Sequence, residues 1–134
     1  MSYHFTTTLN QPFEQAVETV TAALKEKGFG VLTTIDVKAT LKAKIGAEFR
    51  PYVILGACNP GFAFKALQAE PKIGTMLPCN VVVEEKGDHV EVSAIDPMAS
   101  MQAVDNPALG AVATEVRDLL KSVVDDLAAK AKAA

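Results

Sequence analysis

The sequence predicts an α+β fold: a single, mostly antiparallel sheet covered by helices on one face, in the order β-α-β-β-α-β-β-α with short extra helices. Three observations lead there. Short segments alternate with period two, as Tyr3, Phe5, Thr7 and Leu9 do against His4, Thr6 and Thr8. Two longer segments repeat apolar residues at helical spacing: Phe13, Ala16, Val17, Val20 and Leu24, then Leu109, Val112, Ala113, Val116, Leu120, Val123 and Leu127. Gly, Pro and Asn punctuate the boundaries between them.

The first strand spans 3–9, and Asn10-Gln11-Pro12 then opens a helix, because Pro lacks an N–H that the first turn would leave unpaired. Gly28 is its expected stop. A second strand covers 29–35. Asp36 can cap a short helix that carries Val37, Leu41 and Ile45 and ends at Gly46. The third strand runs over 51–57. Asn59 caps and Pro60 starts a helix that turns Phe62, Ala63, Ala66 and Leu67 inward and ends before Pro71. Segments 80–85 and 89–95 make a hairpin around Lys86-Gly87-Asp88, where Gly87 supplies the positive φ of a tight turn. Asp96-Pro97 caps a short turn or helix through Met101. The last helix begins at Asn106-Pro107 and reaches about Lys130, a length of about 36 Å at 1.5 Å per residue.

A chain of 134 residues fits one domain, 1–134, with an Ala/Lys-rich tail over 128–134 expected to fray. Apolar content of 49% and charged content of 22% are ordinary for a globular protein, and no apolar run approaches the ~20 residues that cross a bilayer. The start, Met1-Ser2-Tyr3-His4-Phe5-Thr6, has no basic segment followed by an apolar one, so the expected location is cytoplasmic. There the two cysteines are thiols rather than a bridge. A net charge of −3 and the absence of Trp argue against nucleic acid as a partner, which needs a concentrated basic surface and stacking platforms.

Both cysteines stand in mirrored tripeptides, Cys58-Asn59-Pro60 and Pro78-Cys79-Asn80. Cys58 falls just outside a helix N-terminus, whose positive end favours a thiolate, and this makes it the candidate nucleophile. Cys79 shares a strand face with Val81 and Val83 and should point toward the core. Against this, free cysteine often packs as a small hydrophobe. The candidate catalytic residues are Cys58 and Cys79. The candidate ligand-binding residues are Asn59, Asn80, Asp36 and Asp96, although Asn59, Asp36 and Asp96 also read as helix caps.

No metal-ligating residues and no cofactor are assigned. Zinc sites usually show closely spaced cysteine pairs and four ligands, whereas these cysteines are far apart and only His4 and His89 could add nitrogen. Both histidines alternate onto the solvent face of their strands. Lys38, Lys42 and Lys44 make a small basic helix without acidic partners, a solvated face before it is an anion contact. No glycine-rich phosphate loop, Ser/His/Asp order or His-Glu zinc pattern raises an enzyme class.

The segments Gly28-Phe29-Gly30-Val31-Leu32, Ile35-Asp36-Val37, Ile54-Leu55-Gly56-Ala57-Cys58-Asn59-Pro60 and Ile73-Gly74-Thr75-Met76-Leu77-Pro78-Cys79-Asn80-Val81 resemble the uncharacterised prokaryotic family catalogued as domain of unknown function 302. The resemblance spans nearly the whole chain, with Met76 standing where the family has Leu. It implies a TATA-box-binding-protein-like architecture and a homodimer, and it implies no activity. Fold analogy carries no DNA binding with it.

Three functions follow as expectations. The first is a small-ligand-binding or thiol-redox protein whose pocket is lined by Cys58, Asn59, Cys79 and Asn80. The second is a non-catalytic dimeric interaction module with structural cysteines. The third is soft-metal binding across a dimer.

Overall fold

The structure, a computed structural model, describes residues 2–133. Five strands, β1 (His4–Leu9), β2 (Gly30–Asp36), β3 (Tyr52–Cys58), β4 (Cys79–Glu85) and β5 (Val90–Ile95), form one antiparallel sheet in the order β1-β5-β4-β3-β2. Between and after them lie α1 (Phe13–Glu26), α2 (Val37–Ile45), α3 (Pro60–Ala69), α4 (Pro97–Ser100) and α5 (Ala108–Ala133). Strands β2 to β5 are a meander, and α1 carries the chain across the sheet from one edge strand, β1, to the other, β2. The expected α+β class and element order are those of the structure.

Strand alternation sorts the sheet into two faces. Val53, Leu55 and Ala57 on β3, Val81 and Val83 on β4, and Val90, Val92 and Ala94 on β5 are all buried. They pack against Ala16, Val20 and Leu24 of α1 and Leu120, Val123 and Leu127 of α5. Burying each Leu or Val side chain contributes about 1.5–3 kcal/mol relative to exposure, so this one layer supplies most of what holds helices to sheet. The opposite face, with Tyr52, Ile54, Val82, Glu84, Glu91 and Ser93, is half-buried at most. Edge strand β2 is largely exposed, and its register against β3 shifts between Val31 and Thr33, which leaves Leu32 unpaired and exposed.

Caps fall where short polar side chains precede helices. Asp36 Oδ1 accepts from the Ala39 N–H at 2.9 Å, and Asp96 Oδ1 accepts from the Met98 N–H at 3.0 Å. Gly28, Gly46 and Gly87 take the positive φ that ends α1, ends α2 and turns the β4–β5 hairpin. Asn106 does two jobs: its Oδ1 accepts from the Ala108 N–H at 3.0 Å, and its Nδ2 donates to the Ala69 carbonyl at 2.8 Å, which fastens the start of α5 to the end of α3.

The structure differs from the sequence expectation in several places. A 3-10 helix over Pro71–Met76 follows α3, where only a helix end was expected, and Ile73 anchors it in a second small core with Ala66 and Leu109. Pro12 is the N-cap of α1 rather than its first helical residue, and β4 begins at Cys79. Lys42 is not without an acidic partner, since its Nζ meets Glu48 Oε1. Helix α5 is continuous through Ala133, and Ala131 packs on the core. Ala134, at the end of the tail expected to fray, lies outside the described residues.

Candidate functional site

The site lies where β3 ends and the chain turns into α3. Asn59 takes an extended conformation and its Oδ1 accepts from the Phe62 N–H at 3.3 Å, while Pro60 occupies the first helical position. Ala63 donates to the Asn59 carbonyl at 2.9 Å. Gly28 lies against this turn: a Cβ there would stand 3.0 Å from Asn59 Nδ2, and its φ of +86° is one that only glycine takes freely.

Cys58 thus sits immediately before the N-terminus of a ten-residue helix. The β3–β4 register places Ala57 opposite Cys79, so Cys58 follows directly on that pair, at the end of β3. Both are free and half-buried.

A cavity of about 40 Å³ opens here between the sheet end, α3 and α5, lined by Cys58, Asn59 and Cys79 together with Phe29, Phe62 and Val116. Met101, just past α4, also lines it. Asn59 is the sole lining residue with a side-chain nitrogen or oxygen, and the three sulfur-bearing residues are the two cysteines and Met101. At roughly 10–15 Å³ for each water, the space admits a few atoms, far below the roughly 300–1,000 Å³ of pockets that enclose whole small molecules. Larger open clefts of about 390 and 310 Å³ occur beside Asp88 and on the outer sheet face, and neither is lined by a cysteine.

Burial pushes the Cys79 thiol up to about 11, with charge on Cys58 adding to the rise. Cys79 is therefore protonated at neutral pH.

Of the six candidate residues, the structure brings Cys58, Asn59 and Cys79 together. Asn80 lies on the outer face with Tyr52, Val82 and Glu84, because neighbours along a strand point to opposite faces. Asp36 pairs with Val53, toward the far end of β3 from Cys58. Asp96 is buried, and its carboxylate is taken up by the Met98 N–H and by Arg117 Nε at 3.3 Å. His4 Nδ1 meets Thr6 Oγ1 at 2.6 Å and His89 Nδ1 meets Asp88 Oδ1 at 2.9 Å, so both rings are engaged away from the cysteines. Among the described residues no group of three or more His, Cys, Asp or Glu side chains could hold a metal. Sequence reasoning missed Met101, which sits in an aperiodic turn where no pattern marks it.

A family model described as "Domain of unknown function DUF302" matches residues 5–127. The chain belongs to the DUF302 family. Its fold is shared with a solved structure titled "Crystal structure of uncharacterized conserved protein DUF302 from Bacillus stearothermophilus", at 28% identity and a TM-score of 0.86 over 93% of this chain and 98% of that one. No curated protein matches. Membership in DUF302 fixes fold and kinship and brings no activity, so the chemistry rests on this chain's own residues. No helix among the described residues is long and apolar enough to cross a membrane.

Proposed function

We propose that the cavity at the end of β3 is a thiol-based ligand site in which Cys58 is the reactive group. The observation that supports this is the convergence of two cysteines, distant in sequence, on one cavity beside the α3 N-terminus. The positive end of the helix favours negative charge on a ligand atom beside Cys58. Asn59 Nδ2 faces the same turn and can donate to that atom. Cys79, protonated at neutral pH, is a wall of the cavity rather than a second nucleophile. The ligand is small, or inserts only its tip, because the space holds a few atoms. The cytoplasm is the matching compartment, since free thiols persist in reducing surroundings.

Iodoacetamide labelling of the native, reduced protein at neutral pH, resolved by peptide mass spectrometry, tests this. Cys58 labels well before Cys79 and faster than a model thiol. Labelling of Cys58 no faster than the model thiol overturns the proposal.

The uncovered outer face of the sheet supports a second function, that of a homodimeric interaction module. Ile35 is 49% exposed and lies beside Ile54 in the β2–β3 register, with Val82 on the next strand. In that case Cys58→Ser and Cys79→Ser leave assembly unchanged and alter stability alone.

A further inference from the structure

We propose that the cavity takes a soft monovalent d10 cation, Cu(I) or Ag(I), held by the sulfur atoms of Cys58, Cys79 and Met101. This deepens the proposed thiol site by naming its ligand class and rests on Cys58 and Cys79 acting together there.

The donor set carries it. Three sulfur-bearing side chains, two thiols and one thioether, line a single cavity whose other lining residues are apolar except Asn59. Thiolate and thioether ligands select Cu(I)-like ions, whereas Mg(II), Ca(II) and Mn(II) need carboxylate, carbonyl or water oxygen, and structural Zn(II) needs four ligands. No carboxylate or imidazole lines the cavity, and His4 and His89 are engaged elsewhere. A space of about 40 Å³ holds a bare ion.

A cation between the sulfurs makes thiolates of both cysteines, because a coordinating thiol is deprotonated by the metal itself. Binding replaces the S–H bonds of Cys58 and Cys79 by two S–metal bonds and releases both protons to solvent, with no change in oxidation state. The resulting site of two thiolates and one cation carries one net negative charge, which faces the positive N-terminus of α3.

Anaerobic titration of the reduced full chain with Cu(I), against a chromogenic Cu(I) chelator, tests the proposal. One equivalent binds, with thiolate-to-copper absorption in the ultraviolet. Cys58→Ser and Cys79→Ser each abolish that equivalent. Met101→Leu, close to isosteric, keeps the fold by circular dichroism and weakens binding roughly tenfold, the lower end of what a supporting group contributes to a metal site. Absence of the equivalent, its persistence in either cysteine variant, unchanged affinity in Met101→Leu, or equal retention of Zn(II) overturns the proposal. Fast Cys58 labelling combined with no Cu(I) binding overturns the metal and leaves the thiol site standing. Slow labelling combined with no binding overturns both.

Discussion

The thiol of Cys79 sits on a strand position whose neighbours two and four residues on, Val81 and Val83, are buried, and its ionisation is opposed accordingly. Its ordinary value is 9.0 and the fold raises it to about 11. An acid held protonated in the folded state stabilises that state below about pH 9, and the contribution is lost as pH rises from 9 toward 11, because the unfolded chain then binds fewer protons. Two units correspond to about 2–3 kcal/mol. Thermal melts across that window should fall steeply for the native protein and less steeply for Cys79→Ala. The variant comparison matters because Tyr52 is also raised, by burial first and then by Glu84, and contributes in the same direction. Parallel melting curves for the two proteins would show that Cys79 is not buried as described. At the turn itself, Asn59→Ala removes the acceptor for the Phe62 N–H and should cost about 1 kcal/mol in urea unfolding, while Asn59→Asp restores most of it. Asn59 was legible because Asn before Pro is a helix-start signal with a mechanism. Asn80 shows the opposite: the mirrored tripeptides suggest that both amides share a pocket, but period two sends Asn80 to the other face from Cys79.

Elements that were legible have strong local signals, such as the apolar stripe of α5 or the glycine at the end of α1. Those that were not depend on distant partners. The 3-10 helix over Pro71–Met76 has no periodic pattern, and it is held by Ile73 packing against Leu109 of α5. The same distance effect makes Asn106 more than a cap. It donates to the end of α3 and accepts from the start of α5, so it ties together two helices that wall the cavity. Asn106→Ala should cost about 1–3 kcal/mol, since it removes a cap and leaves the Ala69 carbonyl short of a partner. Asn106→Asp keeps the acceptor but sets a carboxylate against the Ala69 carbonyl and Glu70 Oε1, to which Nδ2 donates at 2.8 and 3.3 Å, and should cost at least as much. If both variants unfold at the same urea concentration as the native chain, the bridge between α3 and α5 contributes nothing. Gly56 is a further element-scale constraint. A Cβ there would lie 2.1 Å from Thr33 Oγ1 and 2.8 Å from Pro78 Cγ, so β2, β3 and the segment entering β4 close over it. Overpacking of this kind costs about 1–3 kcal/mol, so Gly56→Ala should lower the melting temperature, and adding Thr33→Ala, which clears the nearer clash but leaves Pro78 Cγ in place, should restore only part of the loss.

Seen as a whole, the molecule spends its helices on one side. Helices α1 and α5 cover the face with Val53, Leu55 and Val83, and the other face carries an apolar centre of Ile35, Ile54 and Val82 between polar Glu84, Glu91 and Ser93. Apolar side chains at the centre of a patch with a polar rim are what a stable homodimer buries, and a twofold axis lets one sheet face meet its own copy. A net charge of −3 opposes association only weakly at physiological salt, where the screening length is about 8 Å. Sedimentation equilibrium at micromolar concentration should therefore give twice the chain mass. Ile54→Lys places a charge at the middle of the face without touching the core layer, because its side chain points away from Leu55 and Val53. It should shift the mass to that of one chain while circular dichroism and melting cooperativity persist. A native protein that sediments as one chain at every concentration, or a variant that still pairs, would remove the outer sheet face as the dimer surface. Neither result would bear on the cysteine cavity, which opens on the opposite side between α3 and α5.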